Sequence, residues 1–507
     1  MSVMTGFLGA VAAIRQRIMS LLTFQPANEF TISIYEPYSY TGNVAKNRIW
    51  YRGEPSELFQ FYKNSGAGNL GDGVNRSRFW AAVPSRGMQI RKIHSGLPAM
   101  VVDKIADIVV TDMQPVEFDG DNATDAQARW EAIAAENRWV ELIRHACVET
   151  DVAGDGAFKI SFDPAVSPLP VVEFYSGEQV DYTIVRGRVT EVIFYTVKNY
   201  AGRTYQLAET YGMGYVKYDL YDQMGVPHDM AAFSDLASLQ PVTWPDGMMW
   251  AVPLLFAHSP TFPNRGRSAF DGKCDMFDAL DEDISQWTDA VRAGRASRYI
   301  PEDLVPRDIN TGAPIEPNPF DNQFIATRGS MSEGDNGQVQ VVAPTIQSEA
   351  YQQKYTVDLD LALVGILSPS TLGIDMAKKD NADAQREKEK TTLYSRAKRV
   401  AVLEKTLPLL AQTVLQAQDI AAGQFAGQYT CTISWGEYAN PSFESVVATI
   451  AQARTAQVMS IEQAVEEMYG DSMTDEEKAA EVTRIKNEQG VTSAPDPSAS
   501  GVGDLNA

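Results

Sequence analysis

The hydrophobic pattern between residues 348 and 422 predicts two helices separated by a tight turn. Ser348 to Leu367 reads as an apolar helix, residues 368–373 are turn formers, and a long amphipathic helix begins near Asn381. Apolar residues recur in the long helix every seven positions and at helical offsets between them. This order of elements suits a ring with a central opening better than an active-site pocket. The predicted stripe is Leu393, Ala397, Val400, Leu403, Leu407, Leu410, Val414 and Ala417.

The opposite side of the long helix is basic. Its length exceeds that of most helices in globular proteins, which indicates that it spans a large assembly or packs on a neighbouring molecule. A core helix with a solvated basic face is the simpler interpretation, because charge runs usually face water. The basic positions are Arg386, Lys388, Lys390, Arg396, Lys398, Arg399 and Lys405.

Earlier segments alternate between helical and strand patterns. A helix is predicted from about Asp125, with Thr124 and Gln127 at capping-box spacing. Strands follow from Ala157 to Tyr221, with a hairpin turn at residues 186–188. A further helix covers 270–295, and the prolines that follow exclude long helices from 298–346. The stripe of the first helix is Trp130, Ile133, Val140, Ile143 and Cys147.

The C-terminal part begins with a strand at 430–435 and continues with three helices. These helices are predicted at 443–458, 461–469 and 475–487. Ser460 with Gln463, and Thr474 with Glu477, have capping-box spacing. The tail from Gly490 is rich in Ser, Pro, Gly and Asp, has little to bury, and is predicted to be disordered.

Composition narrows the functional class. The chain has 507 residues and a formal charge of −23. Such an acidic protein is not expected to bind nucleic acid tightly, because phosphate binding needs cationic side chains. It could still surround DNA, since like charges would keep a duplex away from the wall of a channel. Its three cysteines form no disulfide framework, so a reducing compartment is predicted. The apolar segment from Phe7 to Phe24 is interrupted by Arg15 and Arg17 and is neither a signal peptide nor a membrane span.

Sequence motifs for catalysis are weak. The GxGxxG match at 66–71 follows no convincing strand and is interpreted as a loop. The four histidines are isolated, so zinc binding by spacing is unsupported. No phosphate loop or Gly-x-Ser-x-Gly elbow is present. We therefore predict a protein that is not an enzyme, with no cofactor, no metal and no catalytic residue.

Several motifs, taken in order, resemble the portal proteins of tailed bacteriophages, most closely those with long non-contractile tails. Each motif is weak alone, and their order and spacing carry the resemblance over about 45–470. In this sequence Asp281 stands where the family commonly has Asn. The motifs are Ile49–Gly53, Gly154–Ile160, Phe262–Ser268, Asp278–Asp281 with Ser285, and Ile366–Gly373.

The resemblance implies an α+β portal-like fold with a wing, a two-helix stem, a β-containing clip and a helical crown. The long helix from Asn381 would belong to the wing. The implied parts are an N-terminal arm (1–44), wing (45–269), first stem helix (270–296), clip (297–346), second stem helix (347–367), tunnel loop (368–380), the long helix and strand of the wing (381–439), crown (440–489) and a disordered tail (490–507).

The family's function is implied in the same way. The protein would form a ring, typically of twelve copies, at one capsid vertex. The ring would be assembled in the host bacterial cytoplasm. Double-stranded DNA would pass through it during packaging and ejection without its sequence being read. Its partners would be the large terminase, a head-completion or adaptor protein, and the major capsid and scaffolding proteins, with no stable membrane association. The alternative is a peripheral membrane or scaffold protein that uses its N-terminal amphipathic segment.

Two sets of site residues follow from the implied parts. A lysine pair in the tunnel loop would face DNA phosphates, although those lysines could equally be surface residues at the start of a helix. The DNA-facing set is Asp375, Met376, Lys378 and Lys379. The partner-binding set in the clip is Pro306, Arg307, Pro317 and Phe320.

Overall fold

A computed structural model describes most of the chain in two compact units, which meet in sequence between Gly436 and Glu437. The described residues are 39–65, 78–82, 90–120, 122–237, 239–294, 297–301, 305, 307–314, 324–327, 340–342, 346–373, 382–436, 443–456, 458–469 and 473–488.

The described residues contain both helices and sheets, which confirms the α+β class. The helices are α1 (Tyr40–Arg52), α2 (Pro55–Ser65), α3 (Leu97–Thr111), α4 (Ala123–Glu136), α5 (Trp139–Ala153), α6 (Cys274–Ala293), α7 (Ser348–Leu363), α8 (Ala382–Ala421), α9 (Phe443–Thr455), α10 (Ile461–Tyr469) and α11 (Asp475–Glu488). The strands are β1 (Glu117–Asp119), β2 (Asp155–Ser161), β3 (Val171–Ser176), β4 (Val180–Val185), β5 (Arg188–Tyr200), β6 (Arg203–Gly212), β7 (Tyr215–Asp222), β8 (Pro227–His228), β9 (Val242–Thr243), β10 (Ala251–Leu255), β11 (Ser297–Pro301), β12 (Phe324–Thr327), β13 (Gln340–Val342) and β14 (Thr430–Thr432).

The strands form four sheets within the described residues. The largest runs β4-β5-β6-β7-β8, with β9 also paired to β7. A second sheet has the order β10-β2-β3, and β1 pairs with β14. Between α6 and α7, β11 pairs in parallel with β12 and antiparallel with β13. A small sheet therefore lies between these two helices in sequence, as predicted.

The core of the larger unit is built around α3, α5 and α8. Val101, Ile105 and Val109 of α3 are fully buried, as is Ile143 of α5. The helix α8 contacts α3, α4, β2 and β10. Many different elements thus pack against one long helix, which explains why its apolar stripe is so extended.

The helices α6 and α7 form an antiparallel hairpin. The Asp283 carboxylate of α6 pairs with the Lys354 ammonium of α7. The Trp287 and Tyr351 rings stack with centroids 6.4 Å apart, one turn further along. Residues later in α6 contact residues earlier in α7, so the two helices are antiparallel. The small sheet, which lies between them in sequence, is at the end where they are connected. Whether the hairpin and sheet are a stem and a clip stays a prediction.

Several local predictions are confirmed. The turn at residues 186–187 has positive φ at both positions, 50° for Arg186 and 76° for Gly187, as a two-residue hairpin turn requires. The helix α10 has the predicted bounds. Its start is capped by Ser460, whose Oγ accepts from the Gln463 amide at 3.1 Å.

The predicted helix from Asp125 to Cys147 is wrong as a single element. It is two helices, α4 and α5, separated at Asn137 and Arg138, and Arg138 has a positive φ of 48°. The break turns Val140 out of the predicted stripe, and Val140 is 58% exposed. Nor does Gln127 close a capping box with Thr124, since its side chain bonds the backbone at Phe118 and Val116 instead.

The long helix α8 differs from its predicted pattern at its N-terminal half. Leu393 and Ala397 are exposed, whereas the stripe from Val400 to Ala417 is buried. The basic face is also not fully solvated, because Arg396 and Arg399 are buried. Each guanidinium has a carboxylate partner on another helix or its cap, and those partners do not appear in the local sequence pattern.

The smaller unit contains the helices α9, α10 and α11. Thr474 and Glu477 form the predicted capping box, because the Thr474 amide donates to the Glu477 carboxylate at 2.9 Å and the Glu477 amide donates to Thr474 Oγ1 at 3.4 Å. Among the described residues of the whole chain, no helix is both long enough and apolar enough to cross a bilayer.

Candidate functional site: the helical hairpin and its base

One face of α6 carries three oxygen acceptors at positions i, i+3 and i+7. These side chains, Asp278, Asp281 and Ser285, are all buried. Asp278 accepts from the Phe79 and Trp80 amides at 2.9 and 3.2 Å, and Ser285 Oγ accepts from the Ile93 amide at 2.9 Å. The hairpin is therefore held at its base by two segments, 78–82 and 90–97, that have no long regular structure of their own in these ranges.

Asp281 is the most enclosed of the three acceptors, with an exposure of 0%. Its carboxylate accepts from the indole of Trp80 at 3.1 Å and from the Ser95 amide at 2.8 Å, and it bonds His94 Nδ1 at 2.7 Å. One oxygen faces both the Trp80 and His94 nitrogens. An Asn here would turn its amide N–H group either toward the Ser95 amide or toward the Trp80 indole, and both of these are donors. The Asp found here therefore matches its partners better.

Lys92 holds the segment 78–82 from the other side. Its ammonium donates to the carbonyls of Phe79, Trp80 and Ala82, at 3.0 Å for Trp80 and 2.9 Å for Ala82. It also lies over the Phe79 ring, 4.9 Å from the centroid. Burial lowers the pKa of Lys92, and burial raises the pKa of Asp278 on the opposite side.

A second buried cluster holds the chain that leads into α6. Asp155 accepts from the Gly266 amide at 2.6 Å, from Arg265 Nη2 at 2.8 Å and from the Tyr40 hydroxyl at 3.1 Å. Arg265 also donates to the carbonyls of Val180 and Gly177 and stacks on the Tyr40 ring. Burial raises the pKa of Asp155 against the opposing effect of Arg265.

Two glycines allow this cluster to close. A Cβ on Gly266 would lie 2.0 Å from the Gly154 carbonyl oxygen, and Gly154 itself has a positive φ of 107°. Likewise, Gly53 has a φ of 68°, and a Cβ there would lie 2.5 Å from the His94 ring. Trp50, from the same motif as Gly53, packs against Phe277 of α6. Motifs more than 200 residues apart in sequence therefore meet around the N-terminal half of α6.

A third buried pair joins these elements to α8. Arg399 binds Asp151 through two hydrogen bonds of 2.9 and 2.7 Å. The Asp151 carbonyl accepts from the Ser268 hydroxyl at 2.9 Å and from the Ala269 amide at 2.8 Å. The long helix, the end of α5 and the start of α6 are thus connected through one residue.

The C-terminal end of α7 is fixed from two sides. Lys273 donates to the carbonyls of Leu361 and Val364 at 2.9 and 2.8 Å, where a cation is favoured by the helix dipole. On the other side, Thr392 of α8 accepts from the Ser368 amide at 2.9 Å. The chain leaving the hairpin is therefore tied both to α6 and to α8.

Further along the hairpin, Lys354 lies between two carboxylates. It pairs with Asp283 across the helices and with Asp358 on its own helix at 2.8 Å. Burial, countered by Lys354, raises the pKa of Asp283 to about 6. The ionised form of Asp283 is therefore less favourable in the folded hairpin than in the unfolded chain.

This raised pKa predicts how stability depends on pH. Because the folded pKa lies above the unfolded value of about 4, the contribution of Asp283 is greatest below pH 4 and is lost as pH rises through about 6. We expect the stability difference between the wild type and Asp283→Asn to fall over this window and to be constant above it. Urea unfolding of both proteins at several pH values measures it, and a parallel pH dependence in the two would contradict the assignment.

The half of the hairpin nearest the small sheet is exposed. Between Ser348 and Asp358 of α7, no described side chain is buried. At the other end of α7, three apolar residues at positions i, i+4 and i+7 form an exposed stripe, and the last of them, Val364, directly follows the helix. Their exposures are 56% for Val357, 48% for Leu361 and 60% for Val364. The two helices also carry nine carboxylates against two basic residues.

The predicted site residues are largely outside the described residues. This applies to Asp375, Met376, Lys378 and Lys379, and to Pro306, Pro317 and Phe320. Arg307 is described and exposed. Its guanidinium donates to the Gly312 carbonyl at 3.3 Å, and its backbone bridges to Pro314. The roles assigned to all eight residues stay predictions.

Sequence reasoning named Asp278, Asp281 and Ser285 as a motif, but it did not predict that they hold the hairpin. It did not identify Lys273 or Thr392. For Asp278, Asp281 and Ser285 a signal existed, since their spacing places three polar groups on one face of a helix beside an apolar stripe. For Lys273 and Thr392 the partners are distant in sequence and no local pattern marks them. Among the described residues there is also no group of three or more potential metal ligands.

Comparisons with known proteins add little at the level of sequence. No family model matches the chain, and no curated protein matches it. Among solved structures, a chain from the virion of a native gene transfer agent particle is 14% identical, with 76% of this chain and 89% of that chain covered and a TM-score of 0.33. A chain from the neck of the native particle with C12 symmetry is 13% identical, with the same coverages and TM-score. One from the neck of an empty particle with C6 symmetry is 13% identical, with 75% and 93% covered and a TM-score of 0.34. TM-scores of this size do not establish a common fold.

Proposed function

We propose that this chain is a ring-forming portal, a structural channel for double-stranded DNA at one capsid vertex. One observation carries the proposal: the hairpin of α6 and α7 exposes the apolar stripe Val357, Leu361 and Val364. Exposed apolar stripes at helical spacing mark surfaces that associate. The occupant that we assign is the hairpin of a second copy, so that copies closing into a circle bring their hairpins together around an opening.

The charge of the hairpin supports the same function. Three of the nine carboxylates on the two helices, Asp278, Asp281 and Asp283, are buried. The other six, against two basic residues, make a surface that repels phosphates, so a duplex inside such a ring would not bind the wall tightly. Sliding rather than gripping is what a channel requires. The protein itself performs no chemistry in this proposal, and the packaging energy comes from a docked large terminase.

The remaining assignments follow from the family resemblance. Residues 297–346 form the clip that meets terminase during packaging and an adaptor protein afterwards, with Arg307 exposed for such a contact. Lys378 and Lys379 form a cationic ring near the DNA. The location is the portal vertex of a virion, with major capsid and scaffolding proteins around it and about twelve copies in the ring.

The lysine ring gives a direct test of the DNA channel. We expect Lys378→Glu with Lys379→Glu to assemble rings as the wild type does but to package or retain less DNA, because the repulsion of phosphate by glutamate is added to an already acidic channel. DNA per particle, measured by nuclease-protected DNA against capsid protein, is the readout. Lys378→Gln with Lys379→Gln is the matched control for charge loss alone. Normal packaging by the glutamate variant would exclude a role for these two lysines in contacting DNA.

A further inference from the structure

A buried hydroxyl of α8 binds the turn that ends the hairpin. Thr392 has an exposure of 0%. Its Oγ1 accepts from the Ser368 amide at 2.9 Å and lies 2.8 Å from the Thr371 hydroxyl oxygen. A buried amide left without a partner is costly, so this contact is an obligatory one rather than a surface bond.

The backbone of the turn differs from that of a helix at two glycines. Gly365 and Gly373 have φ values of 80° and 73°, which glycine adopts readily and other residues do not. Between them, Ile366 and Leu367 are buried and a short 3₁₀ helix, Pro369–Leu372, follows. Thr392 fixes the segment between the two glycines.

We propose that Thr392 is a positioning residue that couples the end of the hairpin to α8 and thereby sets the position of residues 368–373, the first part of the implied tunnel loop. This inference rests on the proposed function. In a ring, this turn is one path by which a displacement of α7 reaches the long helix. Loss of the hydroxyl leaves the fold and the ring in place but frees the turn, and the channel then retains packaged DNA less well.

The test uses Thr392→Val, which keeps the shape of the side chain and removes the hydroxyl, with Thr392→Ser as the matched control. We expect peptides covering 366–373 to exchange amide hydrogens about tenfold faster in the valine variant, the equivalent of one lost hydrogen bond. Particles assembled with it should package DNA and then lose it on mild heating. The serine variant should match the wild type in both measurements.

The two readouts separate this inference from the proposed function. If the wild type forms no ring and carries no DNA, the proposed function fails while hydrogen exchange still reports on the contact. Unchanged exchange in Thr392→Val, or faster exchange with normal DNA retention, would overturn the role of Thr392. If the valine variant does not assemble, hydrogen exchange on the unassembled chain still tests the contact, and wild-type exchange across 366–373 overturns the proposal.

Discussion

Replacing Leu361 with aspartate is expected to abolish ring assembly while leaving the folded monomer intact. Leu361 is 48% exposed in one copy and lies at the centre of the stripe formed with Val357 and Val364. Burying a carboxylate in an apolar contact costs on the order of 3 kcal/mol, which is more than about a hundredfold in the association constant. The cost repeats at every interface around the ring, so we expect the assembled population to disappear.

Size-exclusion chromatography with light scattering measures this effect. The matched control is Gln352→Asp, which adds the same charge to an exposed position of the same helix outside the stripe. Circular dichroism and thermal unfolding of the monomer test whether Leu361→Asp still folds. A variant that assembles as well as the wild type would show that the stripe faces solvent in the assembly.

The largest effect on stability is expected from Asp155→Ala. This change removes the carboxylate that receives bonds from Arg265, Tyr40 and the Gly266 amide. The buried Arg265 guanidinium then loses its nearer carboxylate and keeps Asp181, which lies 3.8 Å away. Breaking one partner of a buried ion pair costs about 3–5 kcal/mol. Because the same cluster fixes the start of α6, we also expect the base of the hairpin to exchange its amide hydrogens faster.

Chemical denaturation of the monomer measures the first effect. Asp219→Ala, an exposed change on β7, is the control and should alter stability by less than about 0.5 kcal/mol. The double variant with Arg265→Met should recover part of the loss, because it also removes the buried charge that has lost its nearer carboxylate. A loss below about 1 kcal/mol for Asp155→Ala would mean that water or a neighbouring group replaces the carboxylate.

Local patterns in the sequence located most of the helices named here but not the contacts between them. Helical periodicity located α6, α7, α8 and α10 to within a few residues, because each buries one face. The break at Arg138 could not be found in this way, because the apolar positions of α4 and α5 together fit the spacing of one continuous helix. A positive φ at a non-glycine residue leaves no signal in the apolar pattern.

The buried ion pairs of the larger unit were the part of the structure that the sequence predicted least well. Arg396 and Arg399 looked like members of a solvated basic face, but Arg399 is buried against Asp151, 248 residues away. Whether a charge is solvated depends on partners that only the tertiary fold brings close. The sequence motifs at Gly53, Gly154 and Gly266 were more informative. Gly154 and Gly266 allow two backbones to approach closely, Gly53 lies against the His94 ring, and the structure places all three around the entrance to α6.

The most direct test of the central claim is an image of the purified full-length protein. Negative-stain electron microscopy, with mass measured on the same preparation, should show closed rings with a central opening wide enough for a duplex. The ring should be formed by many copies of this chain alone. A single population at the 55.7 kDa mass of one chain across the accessible concentration range would contradict the account.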